Sequence, residues 1–165
     1  GHEEEGGKLA VERAHALHMS NPEVSRLRAV VRHHMRPHHL AQPSEPPTPR
    51  AVYRFFRDTH EAGVDICLLN LADVLATYGP TLPQDTWTRY LDVHRALLEA
   101  WWEKREEQVR PTPLVNGYDL MKEFALKPGP RLGALLERGR EAQAAGEVHS
   151  REEALALVRR ELGEG

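Results

Sequence analysis

One cysteine, Cys67, is all that 165 residues contain. A single thiol can build neither a disulfide framework nor a zinc–thiolate cluster, and it fits a reducing, cytoplasmic setting. Charge of one sign is also lacking: 22 Lys+Arg against 25 Asp+Glu leave a formal net charge of −3. That balance excludes a broadly basic protein that coats nucleic acid, while leaving room for a local basic patch. No run approaches the ~20 apolar residues of a membrane span. The first residues, Gly1 to Lys8, are acidic rather than basic-then-apolar, so they do not read as a secretion signal. Sustained period-two alternation is missing too, which removes strands from the expected fold.

What remains is helix. With 40% hydrophobic and 28% charged residues the chain can bury a core under a solvated surface. A first helix is expected from about Glu3 to His18. Ser20-Asn21-Pro22-Glu23 then offers a capping box with proline in the first turn, and Pro37 is expected to end the second helix. Four prolines between Ala41 and Pro49 mark a loop. A third helix runs from about Pro49 to Gly63. The fourth, Val64 to Tyr78, is apolar nearly all round and is expected at the centre of a bundle. A fifth covers about Gln84 to Gln108, and Arg110-Pro111-Thr112-Pro113 reads as a subdomain boundary. Three short helices follow: one opened by Asn116-Gly117-Tyr118-Asp119, one by Pro128-Gly129-Pro130, and one by the capping box of Ser150 and Glu153. The fold class is all-α. Residues 1–109 form a helical bundle and 110–165 a small three-helix C-terminal subdomain.

Ten histidines are many for this length, and His33, His34, His38 and His39 fall within seven positions. Imidazole and carboxylate are ligands for zinc, iron or manganese, and carboxylate also suits magnesium. His34 shares an apolar helix face with Leu27 and Val31, His33 lies on its flank, and Asp73 sits in the apolar fourth helix. A charge buried there needs a metal, a histidine or an arginine beside it. Spacing alone favours ordinary packing: a histidine on an apolar face is usually a satisfied core residue, and His38 and His39 after Pro37 read as loop. Trp101 and Trp102 sit at helical spacing with Leu97 and Leu98 and read as core rather than as base-stacking residues.

Three stretches, Gly1-His2-Glu3-Glu4, Val31-Arg32-His33-His34-Met35-Arg36-Pro37 and Leu71-Ala72-Asp73, resemble the later motifs of HD phosphohydrolase-like domains. The version they resemble is the one fused to bacterial tRNA nucleotidyltransferases of the CCA-adding and poly(A) polymerase type. A more specific likeness follows in Leu114 to Met121, Lys127-Pro128-Gly129-Pro130-Arg131-Leu132-Gly133, Glu141-Ala142-Gln143, Gly146-Glu147-Val148 and Ser150-Arg151-Glu152-Glu153-Ala154. These are similar to the C-terminal segment of the same family. The resemblance implies a partial metal site of His2, His34 and Asp73, with His33 a weaker candidate, able to hold Mg, Mn, Zn or Fe. It departs from the family in having no His-Asp dyad, and no Gly-Ser preceding an Asp-x-Asp. The chain is therefore expected to match the second half of an HD-type domain plus a tail, with neither catalysis nor full metal binding of its own. Magnesium would belong to the absent polymerase head.

A helix entered through Pro-Gly-Pro lets a ligand approach Gly129 closely, presents unpaired N–H groups, and carries Lys127 and Arg131 on its flanks. The competing reading is that Pro-Gly-Pro only turns the chain and Gly133 only permits close helix packing. The implied function is to bind and position tRNA or another RNA, with no DNA or membrane partner and with a homodimer compatible. Two alternatives stand beside it: a metal-dependent phosphohydrolase acting on nucleotides or phosphodiesters, and a non-catalytic helical interaction module.

Overall fold

The computed structural model describes residues 2–42 and 45–163, with the side chain of His2 outside the described residues. Among them every regular element is helical, as expected. The helices are α1 His2–Ala16, α2 Asn21–His33, α3 Arg36–Leu40, α4 Pro49–Thr59, α5 Ala62–Tyr78, α6 Gln84–Trp102, α7 Gly117–Phe124, α8 Pro130–Ala144 and α9 Arg151–Leu162. A 3₁₀ turn, Gly79–Thr81, and a π-helical turn, Arg105–Val109, complete the set. The chain divides into two compact units, residues 1–47 with 55–99 and residues 48–54 with 100–165.

In the first unit α1 and α2 pair as a hairpin. Gly6 and Gly7 permit the approach, since a Cβ on Gly6 would lie 3.3 Å from Val31 Cγ1. The turn between the helices is held by Glu23, whose Oε2 accepts from the Ser20 N–H at 2.8 Å and the Ser20 hydroxyl at 2.6 Å. The core gathers Val24, Phe55, Phe56, Ile66, Val93, His94 and Leu97. Gly63 is required for packing: a Cβ there would fall 2.7 Å from Phe56 Cε1 and 2.8 Å from Thr59 Oγ1.

Four expectations differ from the structure of this unit. Pro37 does not end helical structure; it sits in the first turn of α3, where its missing N–H costs nothing. His38 and His39 are therefore helical rather than loop residues. The fourth expected helix, α5, is not enclosed: it buries a stripe of Ile66, Cys67, Asn70 and Val74, while Leu68, Leu69 and Leu75 are exposed. Residues Ala62–Thr81, α5 with the turn after it, are long and apolar enough by length and composition to cross a membrane, with mean hydropathy 1.3 and a third buried. The expectation that no segment approaches such a length is corrected accordingly.

The second unit is built on a core of Val115, Leu120, Leu132, Leu135, Ala142, Val148, Ala154 and Val158, drawn from α7, α8, α9 and the segments between them. Asn116 starts α7, its Oδ1 accepting from Tyr118 and Asp119 N–H groups at 2.9 and 3.1 Å while Asp119 Oδ2 accepts from the Asn116 N–H at 2.8 Å. Ser150 starts α9 with its hydroxyl accepting from the Glu153 N–H at 3.2 Å. Of the adjacent tryptophans, Trp101 is buried at 7% exposure under the Arg105 guanidinium, but Trp102 is 64% exposed. Neighbours on a helix point 100° apart, so the expectation that both lie in the core fails for Trp102.

Candidate nucleic-acid interface

The residues expected to hold a metal lie in the first unit. His34 is half-buried, and its Nδ1–H donates to the Val31 carbonyl at 2.8 Å. The Asn70 amide approaches the His34 carbonyl at 3.4 Å. His33 is half-buried, and burial, then the charge of Arg36, pushes its pKa down. Asp73 is exposed, so the expectation of a carboxylate buried in its helix is corrected: water solvates it, and it needs no neutralising partner. Buried polar positions on these helices are instead Asn70 on α5 and His94 on α6. His94 Nδ1–H donates to the Tyr90 carbonyl at 2.6 Å, and the Tyr90 hydroxyl meets His38 Nδ1. Among the described residues no three His, Cys, Asp or Glu side chains are grouped to hold an ion.

Lys127, Gly129 and Arg131 lie together in the second unit, all exposed, where the chain enters α8. Gly129 occupies the cap position without a side chain to close it, and Pro130 follows with no N–H. The first-turn N–H groups of Arg131 and Leu132 therefore have no intrahelical acceptor and point out of the helix end. That end carries the positive pole of the helix dipole, with two cationic side chains beside it. Nothing lies within 4 Å of where a Cβ on Gly129 would be, and the same holds for Gly133. Gly133 is exposed at the fourth residue of α8, where glycine costs up to roughly 0.5–1 kcal/mol against alanine. Close helix packing thus does not account for Gly133. The surface is open backbone, a suitable shape for a phosphate to approach.

Behind this end α8 is anchored by arginine. Glu141 is 5% exposed and accepts from Arg50 Nη1 at 2.8 Å, Arg54 Nη2 at 2.6 Å and Arg138 Nη1 at 3.4 Å. Arg50 also reaches both oxygens of Glu147 at 2.6 Å. These guanidinium groups, Arg54 foremost, hold the Glu141 carboxyl below its ordinary pKa against the opposing effect of burial. Sequence reasoning quotes Glu141 and Glu147 as motif residues but gives no sign of Arg50 and Arg54, some 90 positions earlier. It also passes over Tyr118, whose outward placement could be read from the inward positions Leu120 and Phe124 on the same helix.

Residues 97–158 match the family model for tRNA nucleotidyltransferase domain 2. The chain is 32% identical over 160 residues to the A-adding tRNA nucleotidyltransferase of Deinococcus radiodurans, covering 97% of this chain and 35% of that protein. It is 30% identical over 158 residues to the CC-adding tRNA nucleotidyltransferase of Thermus thermophilus, covering 96% of this chain and 32% of that one. No solved structure matches. The chain spans about a third of the length of the curated relatives it matches. Helices α7 and α8, the first eight residues of α9 and the exposed turn at Gly129 all fall inside the matched region, and over most of its length the chain is similar to tRNA nucleotidyltransferases.

Proposed function

We propose that the chain binds tRNA through its sugar–phosphate backbone and positions it for nucleotide addition at the 3′ end. The observation that carries this reading is the uncapped N-terminus of α8, with Lys127 and Arg131 exposed around the open backbone of Gly129. Unpaired N–H groups, the helix dipole and two cations suit phosphate oxygens and carry no information about base identity. A formal charge of −3 over the whole chain requires such contact to be local. Both relatives are named for tRNA nucleotide addition, one for A and one for CC. The shared element is then the tRNA body rather than the nucleotide added. Catalysis would belong to residues outside those resembling the tail.

The test is the double reversal Lys127→Glu with Arg131→Glu in the full chain, titrated with a tRNA transcript across a salt series. Affinity should fall, and two lost phosphate contacts should flatten the log–log salt slope by roughly one to two units. Helicity should hold, since both side chains are exposed. Glu152→Lys, exposed on α9, is the control and should leave affinity nearly unchanged. If the double reversal changes neither affinity nor slope, the α8 terminus is not the contact.

A further inference from the structure

Tyr118 is 81% exposed at the second residue of α7. The rest of that helix shows that this is not a failed core position. Leu120 is fully buried, and Met121 and Phe124 pack on the core of the second unit, so α7 has its inward face without Tyr118. The backbone beneath the ring is tightly fixed. Asn116 accepts from the Tyr118 and Asp119 N–H groups, Asp119 accepts from the Asn116 N–H, and Arg151 Nη1 holds Asp119 Oδ1 at 2.8 Å. A ring on a fixed pedestal has only two torsions to order, so a stacked partner costs it little conformational entropy.

The position of the ring gives it a partner. Gly117, the residue before it, lies on the opening turns of α8: a Cβ there would stand 3.7 Å from Leu132 Cδ2 and 3.9 Å from Leu136 Cδ1. The tyrosine therefore stands beside the helix whose N-terminus offers the phosphate cradle. Lys122, one turn along α7, is exposed, as are Lys127 and Arg131. The two acids of α7 are engaged elsewhere, Asp119 with Arg151 and Glu123 with Arg159 at 3.1 Å. An aromatic face bordered by cations, next to a backbone cradle, is the combination by which proteins hold unpaired nucleotides.

We propose that Tyr118 is the stacking platform for an unpaired nucleobase of the RNA whose backbone lies at the α8 N-terminus. The inference rests on the backbone reading above and adds to it a contact that is neutral and therefore insensitive to salt. Every base has a π-face, so the contact tolerates any base and fixes where the strand lies.

The experiment compares the native full chain with Tyr118→Ala, Tyr118→Phe and the double reversal Lys127→Glu with Arg131→Glu, each titrated with a tRNA transcript at several salt concentrations. Tyr118→Ala should weaken binding by about tenfold, the scale of one lost base stack, with the salt slope unchanged. Tyr118→Phe should restore affinity, because stacking needs the ring and not the hydroxyl. Thermal unfolding and oligomeric state should be the same in all three Tyr118 forms. If the double reversal flattens the slope but Tyr118→Ala binds like the native chain, the stacking inference is overturned while the backbone reading stands. A native chain that binds no tRNA at low salt overturns both. If Tyr118→Phe is as weak as Tyr118→Ala, the hydroxyl carries the contact and stacking is wrong. A change in melting or self-association in Tyr118→Ala assigns the ring to packing or to a protein interface, and the inference falls.

Discussion

Removing the carboxylate of Glu141 should destabilise the second unit by about 2–3 kcal/mol, a magnitude set by its burial and its three arginine partners. Its oxygen Oε1 receives Arg50, Arg54 and Arg138 at 2.8, 2.6 and 3.4 Å, and its side chain is 6% exposed. Breaking a buried ion pair by deleting one partner costs about 3–5 kcal/mol, because the other charge is stranded. The three arginines are not stranded to that extent. Their side chains are 24, 47 and 41% exposed, and Arg50 keeps Glu147 while Arg138 keeps Glu161 at 3.0 Å. Water and those acids reduce the loss, giving about 2–3 kcal/mol for Glu141→Ala and about 1–2 kcal/mol for Glu141→Gln, which retains one acceptor oxygen. The pH dependence follows from the direction of its pKa, held down first by Arg54. A depressed carboxyl contributes stability that is present above its ordinary value near 4.5 and is lost as pH falls through the folded value. Part of the acid sensitivity of the native chain should therefore vanish in Glu141→Gln. The assay is equilibrium urea unfolding, followed through emission of buried Trp101 and checked by circular dichroism, at neutral and acid pH. Glu141→Ala within about 0.5 kcal/mol of native would refute the reasoning, because only an exposed, screened pair is worth so little.

His94 should make the first unit less stable as pH falls. Burial lowers its pKa although the Tyr90 and Cys67 carbonyls favour the charged form, so its stabilising neutral state is full above about 6.5 and is lost as pH drops through the folded value. The slope from this group cannot exceed about 1.4 kcal/mol per pH unit, and His94→Leu should remove it, leaving the same-sign contribution of His33; unfolding curves from pH 8 to 5 check this. Gly63→Ala should cost about 1–3 kcal/mol, measured by thermal unfolding, because its methyl would overlap the buried Phe56 ring. Gly133→Ala should instead raise stability by about 0.5–1 kcal/mol in the same assay, since its methyl meets open space; a loss would show that the position is packed after all.

Local signals were legible wherever a short stretch of chain decides the outcome. Asn116 and Asp119 define the start of α7, and Ser150 with Glu153 the start of α9, because a helix cap involves residues three apart. Pro37 misleads for a related reason: proline is equally at home after one helix and in the first turn of the next, and only the positions of His33 and His38 in space separate the two. The face of α5 is unreadable on different grounds. A helix apolar all round has no preferred side in its periodicity, so the burial of Ile66, Cys67, Asn70 and Val74 rather than Leu68, Leu69 and Leu75 is set by its packing against α2 and α3.

The same distinction governs the candidate sites. Lys127, Gly129 and Arg131 span five consecutive residues and one helix end, so the chain that spells them also brings them together. The proposed metal residues come from α1, the C-terminal cap of α2 and α5, and their meeting depends on how each helix is rotated about its axis. A difference of one residue turns a side chain by 100°, which is the step between exposed Asp73 and buried Val74. The arginine anchor of Glu141 is harder still, since Arg50 stands 91 residues away and nothing near it announces a partner. Tyr118 falls between these cases. Its cap is local, and its outward direction follows from Leu120 and Phe124 two and six residues on, but its nearness to the α8 cradle depends on Gly117 meeting Leu132. The proposed contact, a helix end and an aromatic at the second residue of the neighbouring helix, is thus half written in adjacent residues, and the packing of α7 on α8 supplies the other half.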